Sequence, residues 1–461
     1  MNKTPVIAIF DAGKTNKKLL LFNRQYKLVY EQSRQFAETT DEDGFICEDV
    51  QALTQWVKDI LDEVLQNNNF AIKAINFSAY GASFVYLNEM GNVFLPLYNY
   101  LKPYSKDLQK QFYDSYGGES TVAKQTASPV LGNLNSGMQL YRLKYEKPAD
   151  FALIKHALHL PQYLSYIVTN KIYADITSIG CHTHLWDFKN NRYHHWVKQE
   201  GIEPKLAAVL NCESIAGYAN KSIPVGVGLH DSSAALIPYL AAFKEPFILI
   251  STGTWCISLN PFNHTPLTDD ELHQDCLCYL TYQGTMVKAS RLFAGYEHEQ
   301  QVKKLSQHFG KAPDYFSTVE YNPSFTENIA NPELSNATTA KAAMVAAYRF
   351  GEIALDDFKT YEEAYHQFIF AIVQQQVQST NLVLHDTPVK RIFVDGGFSK
   401  NAVYMHLLAQ ALPGMEIFAA SVAQASALGA ALVMHQHWNH KPLPSDIIEL
   451  KLYSFSKEIH L

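Results

Sequence analysis

An aspartate, a glycine, a threonine and three lysines share one short polar segment, Asp11-Ala12-Gly13-Lys14-Thr15-Asn16-Lys17-Lys18. It separates two apolar runs, Val6-Ile7-Ala8-Ile9-Phe10 and Leu19-Leu20-Leu21-Phe22, and so reads as the turn of a hairpin. Backbone N–H groups and small hydroxyls in such a turn cradle phosphate oxygens, an acidic residue holds magnesium, and a lysine offsets charge. Gly13, Lys14, Thr15, Asn16 and Lys18 are therefore candidate phosphate contacts, and Asp11 a candidate Mg²⁺ ligand. The embedded Gly13-Lys14-Thr15 is not a P-loop, because the glycine required five positions earlier is replaced by Ala8 within a strand. A plain polar hairpin would carry the same residues, so this turn does not decide the function alone.

A second constellation is Gly226-Val227-Gly228-Leu229-His230-Asp231-Ser232-Ser233, running into a helix-forming stretch. Asp231 at that point is expected either to cap the helix, satisfying free backbone N–H groups, or to act as a general base toward a hydroxyl attacking a γ-phosphate. The glycines before it would let a ligand approach closely, and His230 would hydrogen-bond a sugar hydroxyl.

Thr252-Gly253-Thr254 repeats the phosphate-turn chemistry in the second half of the chain. Asp395-Gly396-Gly397 joins a strand to a helix, with Asn401 four residues on, and glycine there permits close approach to a flat ring such as adenine. The small-residue run Ser426-Ala427-Leu428-Gly429-Ala430-Ala431 reads as a tightly packed helix.

The elements that would hold these groups recur. In the first half come the strand at 6–10, its hairpin partner, a helix over 50–65 with one apolar face, and a strand over 74–80 broken by Gly81. In the second half come the strand Phe247 to Ser251, its partner Trp255 to Leu259, a helix from Tyr361 to Leu384 and the strand Arg391 to Val394. The recurrence predicts a duplicated α/β domain with its boundary near Pro238 to Pro246. Residues 175–178 and 291–299 read as loops, and the tail from Lys441 as a surface wrap.

Length and composition agree with two domains. At 461 residues the chain exceeds one ordinary core, and 47% hydrophobic with 18% charged residues supplies ample apolar material. A net charge of −7 without basic runs excludes a nucleic-acid footprint, leaving small molecules as the expected partners. Six scattered cysteines read as reduced thiols, and the interrupted apolar run near the N-terminus fits neither a signal peptide nor a membrane anchor. The expected location is the cytoplasm, and the expected assembly, on general frequency, a homodimer.

In this order the segments resemble the FGGY carbohydrate kinases of the actin-like ATPase superfamily. Asp11-x-Gly13 with Thr15 and Lys18 is similar to that family's first phosphate motif, and Thr252-Gly253-Thr254-Trp255 to its second. Leu229-His230-Asp231-Ser232-Ser233 is similar to the stretch bearing the catalytic aspartate, and Asp395-Gly396-Gly397 with Asn401 to the adenosine motif. The resemblance spans residues 6 to 433. It implies an α/β fold of two duplicated actin-like, ribonuclease H-like domains with a cleft between them. Residues 1–240 would carry the sugar site, the catalytic base and the first phosphate motif, and residues 241–461 would bind ATP.

The family's chemistry implies ATP and Mg²⁺, Asp231 as base, Asp11 holding Mg²⁺ mostly through water, and sugar contacts from Gly81, Ala82, Ser83 and His230. Gly253-Thr254-Trp255 and His230-Asp231 look most like rhamnulokinases, implying phosphorylation of the 1-hydroxyl of a deoxy-ketohexose such as L-rhamnulose or L-fuculose. Other ketose or polyol kinases, and a sugar sensor without turnover, share the pattern. Three positions depart from it: Ser83 and Leu101 stand where members carry aspartate, and Lys14 where they carry a small residue.

Overall fold

The computed structural model of the protein describes residues 3–325, 354–422 and 424–453. The chain opens with β1 (Thr4–Ala12), β2 (Lys17–Asn23) and β3 (Leu28–Arg34), an antiparallel meander whose inner residues Val6 to Phe10 and Leu19 to Phe22 are fully buried. Next come α1 (Val50–Gln66), capped by the Asp49 carboxylate, and β4 (Phe70–Ala79), parallel to β1. α1 turns Leu53, Trp56, Val57, Ile60 and Val64 onto the sheet, as its 3.6-residue period requires. After a largely helical lobe built around Phe112, Tyr141 and Trp196, the chain returns as β5 (Ile223–Val225) and β6 (Leu229–His230), both parallel to β4, and runs directly into α2 (Asp231–Ala242).

The second half repeats the plan. β7 (Phe247–Thr252) and β8 (Cys256–Asn260) form the hairpin, and β9 (Cys276–Leu280) and β10 (Met286–Leu292) extend it antiparallel through β10. After α3 (Ala294–Phe309) and α4 (Tyr361–Leu384), β11 (Arg391–Gly396) adds parallel to β7. α5 (Ala402–Ala411), β12 (Glu416–Ser421), α6 (Ala425–Leu432) and β13 (Glu449–Tyr453) complete it. The order β3-β2-β1-β4-β5 in one sheet matches β10-β8-β7-β11-β12 in the other. The duplication expected from sequence is thus a repeated sheet topology.

Each sheet has its own core, and a third core lies between the halves, where α2 meets α6. A Cβ at Gly429 would fall 1.9 Å from the Ala234 carbonyl oxygen, so only glycine lets the two helices touch. Asn76 in β4 bridges the halves, donating to Ala430 O at 2.8 Å.

Three expectations change. Residues 176–179 and 294–309 are helical, not loops. Residues 449–453 are not a surface wrap; they pair antiparallel with β12 as an edge strand of the second sheet. Gly226 and Gly228 serve packing: added Cβ atoms would strike Asn76 Oδ1 at 2.3 Å and Pro161 O at 2.5 Å. Among the described residues, no helix is long and apolar enough to cross a membrane.

Candidate active site

The first turn hangs between β1 and β2, with Asp11 paired across the ladder with Lys18. Lys17 holds it in shape: its buried ammonium donates to Gly13 O at 2.9 Å and Lys14 O at 3.0 Å and meets Glu48 Oε2 at 2.5 Å. Lys14 also turns its ammonium to Glu48, at 3.1 Å, over the rings of Tyr80 and Tyr100. Asn16 accepts from Gln35 Nε2 at 2.8 Å, Thr15 is exposed, and Lys18 Nζ lies 2.9 Å from Glu31 and 3.3 Å from Gln424 Oε1 of the second half. Ser426, in α6, donates to both Asp11 carboxylate oxygens at 3.3 Å.

Asp231 is not the helix cap. It is the first residue of α2, with His230 in the cap position, and its Oδ1 accepts from Ser232 N at 2.6 Å. At a helix N-terminus the free N–H groups favour a carboxylate, yet partial desolvation of the side chain, which keeps 33% of its surface exposed, pushes its pKa up to about 6. Burial together with the facing charge of Asp231 also pushes Asp11 up to about 6, so the two carboxylates share one electrostatic site. That excess negative charge fits a divalent cation at Asp11, which would offset it.

Around this pair the sequence-predicted sugar residues gather. The Asp231 carboxylate is 3.3 Å from His230 Nε2, and Gly81 lies against the same ring, where a Cβ would fall 2.8 Å from Cδ2. Ala82 has φ 62°, and its carbonyl accepts from Gln139 Nε2 at 2.7 Å. Ser83 is buried, with Oγ 3.5 Å from Tyr98 O, while Leu101 stands 72% exposed. Burial lowers the His230 pKa to about 4, so the ring is neutral near pH 7.

Several supporting residues carry no signal in the sequence. Asp175, fully buried, accepts from Thr177 N, Thr177 Oγ1, Ser178 N and Gln162 Nε2. Thr177 Oγ1 in turn accepts from His230 N at 3.0 Å, fixing the backbone just before Asp231. Tyr80, Tyr100 and Lys17 were also missed; a lysine gives no sequence signal that it will be buried.

In the second half a cavity of about 810 Å³ opens between the Thr252-Gly253 turn and the segment 397–402, with His298 and Phe316 on its wall. That size and lining suit a nucleotide. Thr252 Oγ1 donates to Asp395 O at 2.5 Å and accepts from Phe398 N at 3.0 Å, locking the two turns together. Asn401 lines the cavity, but its side chain is committed: Oδ1 caps α5 at Tyr404 N and Nδ2 donates to Tyr365 OH at 2.7 Å. Thr254 is exposed, and its carbonyl accepts from Tyr296 N at the start of α3. Among the described residues no hydrogen bond joins the Thr252–Thr254 turn to the first turn; the first turn's cross-domain contacts run to Gln424 and Ser426.

Two family descriptions cover most of the chain: the N-terminal domain of the FGGY family of carbohydrate kinases matches residues 6–237, and the FGGY C-terminal domain matches residues 244–442. The chain belongs to the FGGY carbohydrate kinase family. A rhamnulokinase of Mannheimia succiniciproducens is 23% identical over 276 residues, which make up 57% of this chain and 55% of the relative. The chain thus spans about half the length of this curated relative. Among solved structures, a carbohydrate kinase from Novosphingobium aromaticivorans superposes with a TM-score of 0.77 at 21% identity, over 98% of this chain and 95% of that one. The ligand-bound xylulose kinase of Lactobacillus acidophilus gives 0.78 at 16% identity, over 98% and 94%. At those identities the structures establish the FGGY fold, two domains on duplicated sheets.

Proposed function

We propose that this FGGY chain transfers the γ-phosphoryl group of ATP to a sugar hydroxyl, with Asp231 as general base. The observation that carries the reading is the Asp231 carboxylate: it opens α2, faces Asp11, touches His230 and holds a pKa near 6, suited to accepting a proton at neutral pH. Asp231 orients the hydroxyl and takes its proton as the oxygen attacks. His230 and the backbone of Gly81, Ala82 and Ser83 hold the sugar. The nucleotide lies in the second-half cavity, with Gly253 and Gly397 against it and its phosphates directed to Thr254, Gly13, Thr15 and Lys18. Asp11 would hold Mg²⁺, which supplies charge neutralisation on the phosphates when bound.

The sugar we infer is a ketose phosphorylated at its 1-hydroxyl, a deoxy-ketohexose of the L-rhamnulose or L-fuculose kind. The rhamnulokinase relative and the His230-Asp231 pair favour it. Ser83 and Leu101, which replace family aspartates, favour a second reading: a ketose or polyol with a different hydroxyl pattern, such as xylulose or glycerol. ADP release measured against a panel of ketoses and polyols separates the readings. Release with L-rhamnulose or L-fuculose alone is expected; release only with glycerol or xylulose selects the second reading, and no release with any sugar sinks phosphoryl transfer.

A further inference from the structure

Cys181, His182 and His230 are all buried, and one ligand-capable atom from each lies within 4.8 Å of the other two. Cys181 Sγ is 3.1 Å from His230 Nε2, and the same nitrogen is 3.3 Å from Asp231 Oδ1. His182 Nδ1 sits 3.1 Å from the Leu134 carbonyl. A carbonyl only accepts, so the proton is on Nδ1 and the Nε2 lone pair is free, the arrangement by which a backbone carbonyl orients a metal-binding imidazole. His230 Nδ1 is buried without a partner, so its ring is not anchored by a second hydrogen bond.

Phosphoryl transfer to a sugar uses none of the thiol chemistry here. A thiol and two imidazoles with ligand atoms within 4.8 Å of one another, and a carboxylate oxygen 3.3 Å from one of those imidazoles, offer a mixed S, N and O set, which suits a tetrahedral Zn²⁺ and not Mg²⁺, whose ligands are oxygens in an octahedron. Arg291, the cation whose charge acts on Cys181 and His182, is paired with Asp275 at 2.7 and 3.1 Å, which partly offsets that charge.

We propose that Cys181, His182 and His230 bind one zinc-like divalent cation, with the Asp231 carboxylate as fourth ligand. On binding, the Cys181 thiol gives its proton to solvent and binds as thiolate, while both imidazoles bind neutral. Occupancy of this site engages the same carboxylate that the kinase reading assigns as base, so zinc would compete with the sugar for Asp231.

The test reads the metal directly and is independent of turnover. The reduced full-length protein is titrated with Co²⁺ and followed by absorption. Expected are a near-ultraviolet thiolate-to-cobalt band and visible bands of tetrahedral intensity, saturating at one equivalent and bleached by Zn²⁺. Cys181→Ser abolishes the near-ultraviolet band, His182→Gln loses tight one-equivalent saturation, and Asp231→Asn keeps the thiolate band but shifts the visible ones. A Cys276→Ser, Cys278→Ser double variant leaves every band in place. Absence of the band from the wild-type protein, or its survival in Cys181→Ser, overturns the proposal. Visible bands unmoved by Asp231→Asn remove Asp231 from the ligand set and overturn it in the form given. The wild-type titration decides even if a variant fails to fold.

Discussion

Asp11 and Asp231 come from opposite ends of the first domain, one closing β1 and the other opening α2, yet the charge of Asp231 helps lift the Asp11 carboxyl to about 6. Both groups hold their protons more tightly in the folded chain than at the ordinary value of 3.8. The stability they contribute is therefore present below about pH 4 and lost as pH rises through 6. In magnesium-free buffer, Asp231→Asn should stabilise the protein at pH 8 by about 1 to 2 kcal/mol and have little effect at pH 4. The gain is less than the full pKa displacement would give, because the side chain is 33% exposed. The same variant should lose turnover by roughly 10³-fold. Thermal unfolding at the two pH values and a coupled ADP assay check both halves; a variant that turns over normally removes Asp231 as base.

The pH profile follows from the same pair. With Mg²⁺ saturating, Asp11 is held ionised and Asp231 alone limits the acid side, so kcat/KM should fall about tenfold per pH unit below 6. With Mg²⁺ scarce, Asp11 must also lose its proton and the limb should steepen toward about a hundredfold per unit. A rate profile flat down to pH 5 contradicts the assignment.

Most of the frame was legible in the sequence because its strands are continuous buried runs and its first helix keeps one apolar face. The order of the glycine and aspartate motifs along the chain was legible for the same reason: each sits where a strand ends. What escaped reading depends on contacts distant in sequence. β13 has four exposed side chains of five and is held by backbone pairing to β12, which leaves no apolar pattern. Lys17 and Asp175 are buried charges, and charge argues for exposure until a partner is known. Gly226 and Gly228 looked like an approach for ligand, whereas the neighbours that exclude a side chain there are Asn76 and Pro161, both over 60 residues away in sequence. The helix beginning at Ala294 buries few apolar residues over its length, too sparse a stripe to announce itself.

Thr177 links the buried Asp175 to the backbone of His230. Thr177→Val keeps the shape and removes the hydroxyl, leaving His230 N buried without an acceptor. The expected cost is about 1 to 3 kcal/mol. Loosening His230 should raise the sugar KM severalfold and leave the nucleotide KM unchanged, because the cavity between 252 and 402 lies in the other domain. Equal rises in both constants would mean that Thr177 supports the fold generally and not the sugar side in particular.

The adjacent glycines after β11 separate fold from ligand binding. Gly396 has φ +92°, and a Cβ there would fall 2.0 Å from Thr252 O, so Gly396→Ala collides with backbone and adopts a disfavoured conformation. Its expected cost is about 3 kcal/mol or more. Gly397 has φ −63° and ψ −48°, a conformation open to any residue, and no atom lies within 4 Å of where its Cβ would stand. Because Gly397 lines the cavity, Gly397→Val should leave stability within about 0.5 kcal/mol and occupy space the nucleotide needs. ATP KM should rise about tenfold, the price of a steric misfit near 1.4 kcal/mol, with the sugar KM unaltered. Chemical denaturation paired with steady-state kinetics on the two variants checks the contrast, and an unchanged ATP KM in a folded Gly397→Val protein would move the nucleotide out of this cavity.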